Sequence, residues 1–419
     1  MSANKGSKRT SLNTMDQSEL RELLSPSGLE LLDSIPPFTS EQDIVHTVSR
    51  LRQNHPPTLV ASALTQVKLR RKAIKKFGPF AARMLFTEAG LEQATRLSVA
   101  AHHAQRFRAA QLNRVTDVGC GLGGDALAFG GLELDVTAIE RDEITAALAT
   151  YNLAPCPSVR VLHQAAEDTR LDGIDGLFLD PARRSVGHRD THRITNPDDY
   201  SPSLDFAFTN AEKIPTGVKL GPGYDRDLIP ATAEAQWVSV DGDVVEMGLW
   251  FGSLARPGVK RAALVIKSEH SYELTAAADS DDAEIGQLGE YLYEPDGAVI
   301  RARLIGDVAR SIGGRMVSEN IAYFTADSAI NSPFAQCFRV IEQLPFAEAS
   351  LKKALRARGI GTLEIKKRGV DIDPSGLRTR LGLRGSTSAT LILTRIAGRH
   401  SALLVERLPT LDPAEPQTT

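Results

Sequence analysis

The spacing of apolar positions changes character once along the chain, near Asn113. Before that point it is helical. Leu20, Leu23 and Leu24 recur at helix spacing, as do Leu91, Ala94, Leu97 and Ala101. Pro36-Pro37 and Pro56-Pro57 break the stretch into separate helices. After it, short β-rich runs alternate with helical or loop segments. They are Val115–Val118, Asp135–Ile139, Val159–Leu162 and Gly176–Asp180, then Val218–Leu220, Trp237–Val240 and Ala263–Ile266. Such alternation predicts a mostly parallel sheet covered on both faces. Asp190–Asp227 is polar and rich in Pro and Gly, and reads as a long functional or disordered loop. Asp279–Glu284 is an acidic run of linker or turn character. Beyond it, Val299–Leu304 and Ile321–Phe324 read as strands around the glycine-rich stretch Gly306–Gly314. A helix over Ser350–Arg358, stopped by Gly359, precedes strands at Thr362–Lys366 and Thr390–Ile396.

The pattern divides the chain into a polar tail (1–18), a helical N-terminal domain (19–104), a doubly wound Rossmann-like α/β domain (105–278), two small C-terminal α+β regions (279–345 and 346–410) and a second tail (411–419). The 419-residue length suits roughly two to four domains. With 42% hydrophobic and 24% charged residues the chain can build a packed core. The formal net charge of -3 gives no overall basic excess, so a nucleic-acid partner has to be argued from local patches. Cys120, Cys156 and Cys337 lie far apart without a CxxC pair, which argues against a zinc site or a disulfide framework and fits a reducing cytoplasm. No apolar run is long enough for a membrane span, and Met1–Arg9 lacks the apolar stretch of a secretory signal. His188 and His192 have i,i+4 spacing, but no carboxylate or cysteine spacing supports them, and no metal site is expected.

The densest chemistry follows the first predicted strand: Asp117-Val118-Gly119-Cys120-Gly121-Leu122-Gly123-Gly124. Adenosine cofactors bind at the carboxyl ends of parallel strands, and glycines let the backbone turn sharply and approach a ligand closely. The glycines Gly119, Gly121 and Gly124 alone also satisfy a dinucleotide fingerprint. The acids discriminate further. Asp117, at the end of the first strand, can meet the ammonium group of a methionine moiety. Glu140, ending the second strand, can accept both ribose hydroxyls, and Asp168, after the third, can accept from an adenine amine. Together they favour S-adenosylmethionine over NAD.

Leu179-Asp180-Pro181-Ala182-Arg183-Arg184 ends the fourth strand, the edge that faces a reacting methyl group. Methyl transfer needs alignment more than acid–base power. Asp180 is the candidate for orienting the acceptor or taking its proton, and Pro181 holds the backbone rigid. Arg183 and Arg184 suit phosphate. Amino-group methylases of bases often carry Asp/Asn-Pro-Pro-aromatic here; Ala182-Arg183 leaves base stacking unassigned. No cysteine occupies the motif, and Cys120 reads as packing. Basic residues cluster at Lys68, Arg70, Arg71, Lys72, Lys75 and Lys76, and again from Lys352 through Lys366, Lys367 and Arg368 to Arg399. Such clusters are either solvated faces or the footprint of nucleic-acid binding.

Asp117–Gly124, Leu179–Arg184, Leu91–Thr95, Gly361–Arg368, Gly382–Gly385 and Ala389–Arg395 together resemble a bacterial family of class I methyltransferases with a C-terminal THUMP-like domain. The resemblance implies a ferredoxin-like region over 279–345 and a THUMP-like one over 346–410. It implies an RNA substrate, tRNA or rRNA, and it places Gln93 and Thr95 beside the methionine end of the cofactor; on the charge pattern, Lys366, Lys367 and Arg368 are the cations expected to hold the RNA. Three other readings stay open: a small-molecule methyltransferase, a non-catalytic RNA-binding protein with a vestigial cofactor site, and an NAD(P)-dependent oxidoreductase.

Overall fold

The computed structural model describes residues 15–36, 47–183, 200–268 and 270–409. The chain forms two compact units. The first runs to Lys219 and includes Trp250–Leu254; the second holds Leu220–Leu249 and everything from Ala255.

In the first unit five parallel strands carry the site. They are β1 (Arg114–Val118), β2 (Asp135–Glu140), β3 (Val159–His163), β4 (Gly176–Leu179) and β5 (Thr216–Leu220), arranged β5-β4-β1-β2-β3. Chain order reverses between β1 and β4, where Val118 pairs with Leu179 on one side and Ile139 on the other. Ligands of open α/β sheets bind outside the carboxyl ends at such a switch point. Among the helices before β1 are α1 (Gln17–Leu23), α2 (Pro26–Ser34), α3 (Pro57–Phe77), α4 (Glu88–Gln93) and α5 (Leu97–Ala109). The crossovers are α6 (Gly124–Gly131), α7 (Glu143–Leu153) and α8 (Leu204–Ala211).

The N-terminal helices do not make a core of their own. Leu23 and Leu31 belong to one hydrophobic cluster with Phe129, Leu148 and Phe178 of the α/β layer. Helices with a single apolar stripe need a surface to cover, and here the sheet's own helices supply it. Phe178 on β4 sits at the centre, with ring centroids 5.1 Å from His103, 5.5 Å from Phe129, 6.2 Å from Phe107 and 6.4 Å from Trp250. Helix formation starts earlier than the expected tail boundary at residue 18: Asp16 accepts from the Ser18 and Glu19 backbone N–H groups and Glu19 answers in a capping box.

The second unit contains β6 (Glu234–Val240), β7 (Asp243–Trp250), β8 (Arg261–Lys267) and β9 (His270–Ala276), ordered β9-β8-β6-β7. Its other sheet has seven strands: β10 (Tyr291–Pro295), β11 (Arg315–Met316), β12 (Phe324–Ala326), β13 (Ala335–Leu344), β14 (Ile360–Lys367), β15 (Thr387–Ile396) and β16 (Arg399–Arg407). Their order is β11-β12-β10-β13-β16-β15-β14. Residues expected in two separate small regions thus share one sheet, and Leu292, Tyr323, Ile392 and Leu403 share one core.

Several local expectations change. Val299–Leu304 is not a strand: α9 (Gly297–Arg301) begins where Asp296 accepts from the Ala298 N–H, and the buried Val299 and Leu304 pack from one side. The glycine-rich stretch 306–314 contains α10 (Ile305–Ser311). A Cβ at Gly306 would lie 1.8 Å from the Asp281 carbonyl oxygen, so the glycine there serves close packing against the acidic run. Asp279 of that run is bound by Arg226 and Arg261. The expected loop at Asp190–Asp227 contains α8 and β5, while His188 and His192 lie outside the described residues. Helices α11 (Glu348–Ala357) and α12 (Pro374–Leu381) complete the second unit. No helix among the described residues is long and apolar enough to cross a membrane.

Phe178→Ala should lower unfolding stability by about 3–5 kcal/mol through lost burial and the cavity left behind. Urea denaturation should show a lower midpoint with an unchanged slope. A loss under about 1 kcal/mol would mean that the aromatic cluster closes over the gap.

Candidate active site

The penultimate residue of β1 is Asp117, whose side chain is fully buried. Neither carboxyl oxygen has a hydrogen-bond partner among the described residues. Burial, reinforced by the negative charges of Asp125 and Asp180, pushes its pKa well above the ordinary 3.8. The chain then turns through three glycines in the left-handed region, Gly119, Gly121 and Gly123. At Gly119 a Cβ would come 2.9 Å from the Asp180 carbonyl oxygen, so only glycine lets the two loops approach. Gly121 faces open space, where a Cβ would meet nothing within 4 Å. The Gly119 and Cys120 N–H groups donate to the Ile139 carbonyl at 2.9 and 3.0 Å, tying the loop to the end of β2.

Glu140, the last residue of β2, reinforces that tie. Its Oε2 accepts from the Gly121 N–H at 3.1 Å and its Oε1 from the Asp142 N–H at 2.8 Å. Asp168 ends a three-ten turn after β3 and is exposed. Asp180 follows β4, and its carboxylate accepts from Lys219 Nζ on β5 at 2.5 Å. Pro181 is buried, and Ala182 and Arg183 pair with Ser201 and Tyr200. The side chain of Arg183, and all of Arg184, lie outside the described residues.

A continuous chain of hydrogen bonds runs inward from Asp180. Lys219 Nζ also donates to Thr95 Oγ1 at 2.8 Å. Thr95 donates to Asp125 Oδ2 at 2.6 Å, and the other Asp125 oxygen lies 2.8 Å from His103 Nδ1. Burial pushes the Asp125 carboxyl up, but the hydrogen bond and charge of His103, with Lys219 and Thr95, bring it below the ordinary range. Lys76, at the end of α3, donates to the Glu92 and Ala94 carbonyls, both at 2.7 Å. Burial and the like charges of Lys219 and Arg96 lower its pKa to about 8.

Asp117, the three glycines, Glu140, Thr95 and Asp180 therefore lie close together at the carboxyl ends of the strands. Gln93 is exposed at the end of α4, two residues ahead of Thr95. Lys366, Lys367 and Arg368 belong to the second unit and are not equivalent. Lys366 pairs with Glu294 at 2.6 Å, and the Arg368 guanidinium lies 5.3 Å from the Tyr323 ring centroid with its Nε buried. Lys367 is exposed. Asp125, His103 and Lys219 were not anticipated, and Lys76 was read only as part of a basic surface. Their signals were present: Asp125 is an acid inside an apolar helix, and Lys219 a cation inside a buried strand.

This arrangement suits a cationic, adenosine-bearing ligand. Acids stand at or after the ends of β1, β2, β3 and β4, the loop above Gly121 is open, and Asp117 offers two orphaned oxygens. Among the described residues no group of three His, Cys, Asp or Glu side chains could hold a metal ion.

Comparisons with known proteins agree with this geometry. A THUMP domain-like family model matches residues 335–407, and one for a domain of unknown function (DUF8688) matches residues 16–73. A protein of Mycobacterium tuberculosis named as an uncharacterized S-adenosylmethionine-dependent methyltransferase is 33% identical over 354 residues, covering 81% of this chain and 93% of its own. The same match is found in a second strain. The crystal structure of a Porphyromonas gingivalis protein described as a methyltransferase shares the fold, with a TM-score of 0.71 at 21% identity over 94% of this chain and 99% of its own.

The raised pKa of Asp117 carries a signed consequence. Its neutral form is favoured in the fold, so its contribution to stability is present below the ordinary 3.8 and is lost as pH rises through the raised value. The ligand-free protein should therefore lose more stability as pH rises above 3.8 than Asp117→Asn does, each followed by thermal melting over a pH series. Parallel curves would show that Asp117 is not an uncompensated buried acid.

Proposed function

Because the chain belongs to the S-adenosylmethionine-dependent methyltransferases, we propose that it transfers a methyl group to a base in structured RNA, tRNA or rRNA. The THUMP domain-like match over residues 335–407 is the observation that carries the choice of RNA. S-adenosylmethionine, when bound, supplies an electrophilic methyl group on a sulfonium centre. The residues present fit it. Asp117 would meet the cationic methionine part, with Thr95 and Gln93 closing that end. The backbone of Gly119, Gly121 and Gly123 would lie against the cofactor. Glu140 spends two acceptor positions on backbone N–H groups and keeps others for ribose hydroxyls. Asp168, exposed, would take the adenine amine.

On the acceptor side, Asp180 orients the attacking atom and takes its proton, and Lys219 fixes the carboxylate that does so. Pro181 keeps the backbone beneath it from moving. Arg183 and Arg184 meet phosphate. In the second unit the exposed Lys367, rather than its internally engaged neighbours Lys366 and Arg368, is the cation suited to RNA. The three cysteines are all free, which supports a reducing, cytoplasmic setting.

Calorimetry should show binding of S-adenosylmethionine but not NADH, with affinity lost in Asp117→Ala. Labelled methyl groups should then enter bulk tRNA or rRNA in ribonuclease-sensitive form. Asp180→Asn should cut that incorporation about 10²–10⁴-fold, the range of a general acid–base group, with cofactor affinity unchanged. Label appearing only in a small-molecule fraction would overturn the RNA assignment; binding of NADH instead would overturn the cofactor.

A further inference from the structure

Lys76 belongs to the site, but the outward face of the helix that carries it has no role there. α3 buries Leu59, Val60, Ala63, Leu64, Leu69, Ala73 and Phe77 on one side. Its other side exposes Lys68, Arg71, Ile74 and Lys75. Lys68, Arg71 and Lys75 stand at i, i+3 and i+7, a row of about 10 Å along one helix face. The turn that follows, Gly78–Arg83, adds Phe80 and Arg83. Ile74 is 58% exposed and Phe80 52%, and they are the large apolar side chains left exposed in the first unit among the described residues. Lys68, Arg71, Lys75 and Arg83 make no ion pair among the described residues, whereas their neighbour Lys72 is held by Glu88 at 2.9 Å.

This face is held firmly. Gln66 of α3 exchanges hydrogen bonds with the Phe86 backbone at 2.8 and 2.9 Å, and Arg70 Nε donates to the Met84 carbonyl at 2.9 Å. One residue beyond the row, Lys76 lies within electrostatic reach of Lys219, Arg96, Glu92 and Asp180. Unpaired cations in a row with an exposed aromatic ring are what a single strand of nucleic acid requires: charge for successive phosphates and a plane for a base. A purely electrostatic partner would leave Phe80 and Ile74 without a purpose. A base held in a duplex, moreover, cannot reach an enclosed site without leaving its stack.

We propose that the exposed face of α3 and the following turn is the track over which a single-stranded segment of the acceptor RNA reaches Asp180, with Arg71 and Lys75 on its phosphates and Phe80 against a base. The proposal rests on the RNA reading above and adds where, in the first unit, that RNA lies.

The test uses the full chain and a fluorescein-labelled 12-nucleotide oligouridine, alongside a labelled 12-base-pair RNA duplex, followed by anisotropy over a range of KCl concentrations. Wild type should prefer the single strand. Arg71→Ala with Lys75→Ala should weaken binding about tenfold or more at low salt and reduce the log–log salt slope by about 1.4, two phosphate contacts on a single strand. Phe80→Ala should weaken binding about tenfold with the slope unchanged, the signature of lost stacking. Melting temperature and S-adenosylmethionine affinity should not move, because these side chains are exposed and outside the cofactor site. If the variants bind the oligonucleotide like wild type while wild type still methylates RNA, the track is wrong and the RNA reading stands. If wild type neither binds nor labels RNA, both fall. Preference for the duplex, or a loss confined to binding of phosphatidylserine vesicles, would also overturn the proposal.

Discussion

The site depends on how two buried carboxylates eight residues apart in the sequence, Asp117 and Asp125, are treated differently by their surroundings. Both are taken out of water at the carboxyl end of the sheet, which costs a charged group several kcal/mol unless partners replace the solvent. Asp125 has those partners in His103 and Thr95, and its pKa falls. Asp117 has none among the described residues, and its pKa rises. The two acids are thus separated by hydrogen bonding together with the charges of His103 and Lys219 around Asp125. Asp125 anchors the row that passes through Thr95 and Lys219 to Asp180, so under the proposed function the acceptor side and the cofactor side share one set of supports.

That row explains why the N-terminal helices are fused to the α/β layer instead of standing apart. Thr95 precedes α5, His103 lies on α5, and Lys76 ends α3, yet all three act at the ends of β-strands. The helices could hold these positions only by sharing the core around Phe178, where the His103 ring packs against both Phe178 and Trp250. An aromatic core on one side of His103 and a carboxylate on the other leave the imidazole one orientation. The core thereby sets polar geometry as well as stability.

The parallel sheet was legible because its strands are apolar runs with acids or glycines at their ends, and that edge residue is what chemistry needs. Asp117, Glu140 and Asp180 could be placed from strand ends alone. The residues that escaped reach the site across the sequence: His103 and Lys76 come from helices whose periodicity reports only which face is buried, not which strand end lies beneath. Val299–Leu304 misled for a related reason. Its β-branched residues favour a strand, but a capping Asp296 and one-sided burial make a short helix the better solution. That the small C-terminal regions share one sheet was not legible, because strand β13 pairs with β10 on one edge and β16 on the other, a long-range pairing that no local pattern encodes.

Charge shows the same limit from the other direction. Counting lysines and arginines favours the C-terminal region, where they are numerous, over the shorter run on α3. Yet Lys366, Arg358, Arg339, Arg380 and Arg407 are each engaged by a glutamate of their own unit. An exposed pair of this kind adds little stability, but it cancels the field a phosphate would feel. On α3 and the turn after it, Lys68, Arg71, Lys75 and Arg83 make no ion pair among the described residues, while Lys72 is held by Glu88. Affinity for a polyanion follows the charges left uncompensated, so a count of basic residues along the sequence overstates the charge that a face presents.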